Sequence, residues 1–165
     1  MHVRLRVSLA RHAAARLPAR PPARGRLLPR GEPFPLASIS GWVREMFDRA
    51  DIRRGTGGGM HSAGLADRDG LRCVYEDVGR HNAVDKVIGR GFADKVDFSL
   101  CCLVSSGRIA ADMAARAIAA GVPIFASRSI PTTAAYELAV ERGLTMIGRV
   151  ASQSPIVYTG GDWLC

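Results

Sequence analysis

The segment YEDVGRHNAVDK (75–86) sets two acids on one side of a single glycine and an arginine and a histidine on the other, with a further acid and lysine one helical turn on. Glu76 and Asp77 end an extended, apolar run, and Gly79 opens a stretch with helical spacing. Glycine lets the main chain approach a ligand closely. The helix start behind it offers unpaired N–H groups and a partial positive charge. Arg80 adds a planar fork of donors that matches phosphate oxygens. His81, Asn82, Asp85 and Lys86 complete this candidate set. SSGR (105–108) repeats the layout of strand, glycine, arginine and helix, and makes Ser105, Ser106, Gly107 and Arg108 a second set. GTGGGMH (55–61) is a glycine loop that could close over both, with Gly58 and His61 as its contributors. The chemistry these stretches suit together is binding of an anion, with phosphate or pyrophosphate the best match.

Each stretch also has a plainer reading. An aspartate beside a helix start, as Asp77 is, is often only a cap. His81 in a first turn is as often an exposed or capping side chain. Ser-Gly commonly begins helices, Asp85 and Lys86 would ordinarily form a solvated face, and a glycine loop alone is only flexible. What favours a shared site is that three such stretches fall where α/β sheets gather ligands, at strand ends beside helix starts. Asp77, His81 and Asp85 could alternatively assist a proton transfer, provided they come within hydrogen-bond reach.

The elements that would position these residues follow from periodicity and punctuation. Residues 38–50 have helical spacing (Val43, Met46, Phe47, Ala50), with Ser38 or Ser40 as N-cap. Residues 60–67 and 71–78 read as a hairpin joined by RDG. Residues 79–92 read as a helix whose apolar stripe is Ala83, Val84, Val87 and Ile88. SLCCLVSS (99–106) is apolar without alternation, as in a buried strand of a parallel sheet. Residues 108–121 form a helix closed by Gly121, and residues 131–143 one with Pro131 in its first turn and Gly143 at its end. Strands are expected at 122–129, 144–150 and 155–160. A hairpin followed by alternating strands and helices predicts a three-layer α/β/α domain with a mixed sheet, spanning 36–165.

Charge and cysteines narrow the function classes. The chain has 165 residues and a net charge of +8, but eight of its 23 basic residues lie in 1–31, which holds no acid. The other 15 balance the 15 acids, so the domain is not a nucleic-acid binder by charge. Residues 1–35 carry six of the nine prolines and are expected to be disordered. No stretch is long and apolar enough for a membrane span. Cysteines stand at 73, 101, 102 and 165, without a CxxC, which points to a reducing, cytoplasmic setting. Cys101 and Cys102 should point to opposite faces of their strand as small packed side chains.

The set TGG-MH-AGL (56–65), EDVGRHNAVDKVIG (76–89), SSGR, AGVPIFASRSIPTTAAYELA (120–139), GLTMIG (143–148) and VYTG (157–160) resembles the FdhD/NarQ family of formate dehydrogenase accessory sulfurtransferases. The resemblance covers roughly three quarters of this chain, but only the C-terminal part of a usual family member. It implies a cytidine-deaminase-like fold, a homodimer, and partnership with a cysteine desulfurase and formate dehydrogenase. It also implies that the molybdenum cofactor, as Mo-bis-molybdopterin guanine dinucleotide, is bound as substrate and receives sulfur from a persulfide. A guanine nucleotide would then fit the anion site. By the same resemblance the loop Arg149, Val150, Ala151, Ser152, Gln153 and Ser154 contacts the cofactor, although it lacks the family's usual aromatic and basic residues. The family's sulfur-carrying CxxC lies upstream of the TGG motif, and no cysteine precedes Thr56 here. No residue of this chain is therefore expected to be catalytic. Two readings stay open: a sulfur carrier of the family, or a truncated or frame-shifted form that binds cofactor or guanine nucleotide without relaying sulfur. A zinc deaminase is not expected, because the helix starts lack the histidine–glutamate and PCxxC ligands that such enzymes need.

Overall fold

The edge on which the candidate residues meet is set by strand direction. In the computed structural model, which describes residues 27–29, 31–50, 55 and 58–165, six strands form one sheet. They are β1 (His61–Asp67), β2 (Gly70–Asp77), β3 (Cys102–Ser105), β4 (Ile124–Ser127), β5 (Thr145–Gly148) and β6 (Ile156–Thr159), in the spatial order β2-β1-β3-β4-β5-β6. β1 runs antiparallel to both β2 and β3, with His61 opposite Asp77 and Ala63 opposite Ser105. β4 and β5 run parallel to β3, and β6 returns antiparallel to β5. The carboxyl ends of β2, β3, β4 and β5 therefore share an edge with the start of β1.

The helices are α1 (Leu36–Asp48), α2 (Arg80–Ala93), α3 (Ala111–Ala120) and α4 (Thr133–Arg142). Period-two alternation in the strands divides the core in two. Leu65, Leu103, Phe125 and Met146 face α2, α3 and α4, meeting Ala83, Val84, Val87, Met113 and Ala117. Ala66, Val104, Ile124 and Ile147 face α1 and meet Ile39, Val43 and Met46. Cys101 lies on the first side and Cys102 on the second, both fully buried, as strand alternation requires. The mixed sheet between two helical layers is the expected α/β/α class.

Several boundaries move for local reasons. α1 begins at Leu36 behind Pro35, with no side-chain cap, so Ser38 and Ser40 lie inside it rather than capping it. The expected strand at 99–106 starts only at Cys102, because Asp97 accepts from Ser99 N and winds 98–100 into a single 3-10 turn. The helix expected from 108 starts at Ala111. Ile109 is held extended between Ile130 O and Thr132 N, and its buried side chain fills the core. Thr132 caps α4 through its hydroxyl, which leaves Pro131 outside the helix. Gly121 and Gly143 do close α3 and α4, with φ of 84° and 72°, where any other residue is strained.

The domain begins earlier than residue 36. Leu28 and Phe34 are buried, Phe34 N donates to Trp163 O, and Trp163 Nε1 donates to Gly31 O. The disorder expected covers residues 1–35, of which 1–26 and 30 lie outside the described residues. Among the described residues, no helix is long and apolar enough to cross a membrane.

Candidate functional site

Asp77 organises the turn between β2 and α2. Its Oδ1 accepts from Gly79 N at 2.9 Å and from Asn82 Nδ2 at 3.0 Å, and its Oδ2 lies 2.7 Å from Lys86 Nζ. Lys86, followed by the Gly79 N–H and Asn82, holds the carboxyl down to about 2, well below its ordinary value. Lys86 also donates to Glu76 O at 3.0 Å. This knot gives Asp77, Asn82 and Lys86 partners within the protein and braces the turn that carries Arg80. Asp77 braces the turn ahead of α2 but is not its cap, since Gly79 is the N-cap residue and no side chain caps the helix.

His81 and Asp85 turn toward α3. His81 Nε2 lies 2.7 Å from Asp112 Oδ2, in the first turn of α3, and Arg116 Nε donates to Asp85 Oδ1 at 2.8 Å. The pairs tie α2 to α3 just behind the edge. Among the described residues no three His, Cys, Asp or Glu side chains converge as a metal site.

The SSGR turn folds against Arg80. A Cβ on Gly107 would sit 3.0 Å from Arg80 Cβ, 3.2 Å from Arg80 Cδ and 3.4 Å from His61 Nδ1. The absence of a side chain at 107 is thus what lets the two turns close on each other. Ser105 Oγ is buried and accepts from Gly107 N at 3.1 Å, so this candidate's hydroxyl serves the turn itself. Ser106 Oγ accepts from Ser62 N at 2.9 Å and lies 3.5 Å from His61 Nδ1. Ser127 Oγ donates to Gly107 O at 2.5 Å and fastens the turn to β4. Arg80 Nε is buried without a hydrogen-bond partner, and the Arg108 side chain is exposed. Among the described residues, no carboxylate pairs with either guanidinium. An unpaired buried donor is costly, on the order of 1–3 kcal/mol, so Arg80 Nε calls for a partner such as an ordered water, an ion or a ligand oxygen.

Arg108 stands three residues ahead of α3, so the second helix start expected there is a loop instead. The loop 149–154 follows β5 on the same edge, with β4 between it and the SSGR turn. Arg149 N donates to Ser129 O and Val150 N to Ser127 O, while Arg128 N donates to Ser105 O. Arg149 has φ of 52°, a left-handed conformation that costs a non-glycine residue about 1–2 kcal/mol. Val150 is buried in the α1-side core, Ala151 and Ser152 are half-buried, and Gln153 and Ser154 are exposed. Gly58 is half-buried with φ of 126°, consistent with a glycine-only turn. Thr56 and Gly57 lie outside the described residues.

Sequence reasoning missed Arg128. It is exposed, its guanidinium lies 5.5 Å from the Phe47 ring centroid, and it follows β4 as Arg149 follows β5. The signal was available once strands were placed: an arginine comes one to three residues after each of the four strands that end on this edge.

Thiol chemistry is unfavourable within the fold. Burial, with the Asp67 charge behind it, pushes Cys101 up to about 12. Burial also raises Cys102 and half-buried Cys73. Thiols so shifted are almost wholly protonated at neutral pH and poor nucleophiles.

Comparison with known proteins places the chain in a family and a fold. The model of the FdhD/NarQ family matches residues 18–164. Sulfur carrier protein FdhD of Streptomyces coelicolor is 42% identical over 121 residues, covering 72% of this chain and 40% of that protein. FdhD of Methanothermobacter thermautotrophicus is 46% identical over 116 residues, covering 70% and 46%. The chain thus spans less than half the length of these relatives. The crystal structure of a formate dehydrogenase accessory protein from Desulfotalea psychrophila superposes with a TM-score of 0.76 at 28% identity, covering 85% of this chain and 62% of that one. Guanine deaminase from Nitrosomonas europaea, at 18% identity and a TM-score of 0.51 over 74% of this chain and 81% of its own, shares the fold alone. On the match of its family model and on its curated relatives, the chain belongs to the FdhD/NarQ family.

Proposed function

We propose that this chain forms the cofactor-holding part of a cytoplasmic sulfur carrier that serves formate dehydrogenase. The relatives' name, sulfur carrier protein, supports the role. The observation that carries the binding reading is Arg80, whose buried Nε lacks a partner where the GRHN and SSGR turns meet. A phosphate supplies what that donor lacks. The ligand is Mo-bis-molybdopterin guanine dinucleotide, bound as substrate, and its pyrophosphates suit a sheet edge where Arg80 and Arg108 pair with no carboxylate among the described residues. Arg80 and Arg108 bind phosphate, Ser106 and His61 supply further hydrogen-bonding groups, and the loop 149–154 borders the ligand. Bound there, the cofactor offers the molybdenum that accepts sulfur.

The chain's own residues bind and orient. Cys101 and Cys102 are buried and protonated, so neither carries the persulfide sulfur that a cysteine desulfurase delivers. Homodimerisation belongs to the same reading. GDP is the accessible probe. Calorimetric titration of the chain with GDP should show binding that weakens by about tenfold or more in Arg80→Ala and in Arg108→Ala, given the strength of charge-assisted hydrogen bonds. Absence of heat, or unchanged affinity in both variants, would remove the reading.

A further inference from the structure

Away from the arginine edge, α4 leaves a row of side chains uncovered. Ala135 and Ala139 are buried in the core, while Tyr136 and Val140, one position further round the helix, are 40% and 57% exposed. With Gly143 they stand at i, i+4 and i+7, one line along the helix. Facing that line are Tyr158, Thr159 and Gly160 at the end of β6, and the groove between them measures about 320 Å³. β6 has β5 on one side and no strand on the other among the described residues. Glu137 and Glu141 stand beside the row, and among the described residues no cation pairs with either.

The chain itself arrives at one end of this groove. Leu28 N donates to Arg142 O at 2.9 Å. Leu27 Cδ2 and Cβ lie 3.5 and 3.8 Å from where a Cβ on Gly143 would stand, and Leu27 is 63% exposed. The residues just before it, PARPPARGR (18–26), hold three prolines, three arginines and no acid, and lie within the span that the family model matches. Proline favours extended backbone and packs well on tyrosine rings. The spacing also matches. Alternate residues of an extended segment are about 6.6 Å apart, and helix positions four apart are about 5–6 Å apart. With Leu27 on Gly143, Arg26 is then level with Glu141 and Arg24 with Glu137. Tyr136 is seven helical positions before Gly143, roughly 10 Å away, so Pro22 and Pro21 come just beyond its ring.

We propose that residues 21–26 lie along the groove between α4 and β6 of their own chain, with Arg26 and Arg24 meeting Glu141 and Glu137 and the two prolines against Tyr136. The segment then covers the open edge of β6, which would otherwise offer its backbone to another chain. Exposed ion pairs contribute little alone. Here the segment is already anchored at Leu28, so each further contact forms at the high effective concentration of a short tether. The proposal is independent of the cofactor reading.

The test is limited trypsin digestion of the full chain, with early products resolved by mass. Trypsin cuts after Arg24 and Arg26, and after Arg16 outside the proposed contact. Each rate is divided by that of the same bond in a synthetic peptide of residues 11–28. The bonds after Arg24 and Arg26 should be cut about tenfold more slowly than the bond after Arg16, because cleavage follows the undocked fraction. Tyr136→Ala, and separately Glu137→Lys with Glu141→Lys, should raise those rates severalfold at an unchanged melting temperature. The charge reversal carries the test if Tyr136→Ala does not fold. Equal normalised rates at Arg16 and Arg24 in the wild type overturn the proposal, as does protection that survives the variants. Protection that falls on dilution shows the groove taking the segment of a second copy, and overturns the contact within one chain.

Discussion

Gly107→Ala separates the packing of the site from its ligand chemistry. Gly107 does not have positive φ, so alanine fits its backbone. The added methyl lies 3.0 Å from Arg80 Cβ and 3.2 Å from Arg80 Cδ, closer than unstrained carbon contacts of about 3.5–4.0 Å. Overpacking typically costs about 1–3 kcal/mol. Here the Cδ belongs to a flexible side chain, while the Cβ is fixed by α2, so the low end, about 1 kcal/mol, is expected. For a domain of this size that lowers the melting temperature by about 2–4 °C. The larger effect should be on binding, because relief requires the Arg80 side chain to swing away from the SSGR turn. GDP affinity should fall about tenfold, equivalent to about 1.4 kcal/mol. The assay is a double-mutant cycle with Arg80→Ala, by calorimetry and thermal melting. If the argument holds, Gly107→Ala has little further effect on binding once Arg80 is truncated, yet still costs stability through the Cβ contact. A folded Gly107→Ala protein that binds GDP like wild type, or equal binding losses with and without Arg80, refutes the claim that Arg80 and Gly107 form one site.

Three other outcomes follow from the structure. Asp77 has a depressed pKa, so its contribution to stability is present above the unfolded value near 3.8 and disappears as pH falls toward about 2. Wild-type and Asp77→Asn melting temperatures should therefore differ at pH 6 and converge between pH 4 and 2, and a constant gap over that range contradicts the knot described for Asp77. Gly91→Ala places a methyl 2.6 Å from Phe98 Cζ and 3.1 Å from Leu65 Cδ2 inside the core, which should cost about 1–3 kcal/mol in urea unfolding with unchanged GDP binding. A thiol reagent at pH 8 should label exposed Cys165 first and reach Cys101 and Cys102 only on unfolding, and early modification of either buried thiol argues against their placement.

Period and punctuation were enough to read most elements. The stripe Ala83, Val84 and Val87 is buried on α2 as its spacing implies, because a 3.6-residue repeat leaves one face for the core. The glycines at 121 and 143 mark helix ends because only glycine takes left-handed backbone freely. Those are local facts, and the sequence is a local record. The start of α3 could not be read, since what delays it is a bridge between Ile109 and Pro131, 22 positions further on. The partners that Asp77, Asn82 and Lys86 find within the protein could not be read either, because residue type shows a capacity for hydrogen bonding but not who meets it. In the same way Asp85 was committed to Arg116 on another helix.

The sequence by itself determined the family, the layered fold class and the two glycine turns that could bind an anion, since each is written in contiguous residues. Only the tertiary structure decided that those turns touch. That contact depends on β1 lying between β2 and β3 and running against both, a matter of strand pairing that no single segment encodes. The row of arginines was likewise invisible as a row. Residues 80, 108, 128 and 149 come to one edge only because four strands end there, since strand order brings together on one edge residues far apart along the chain.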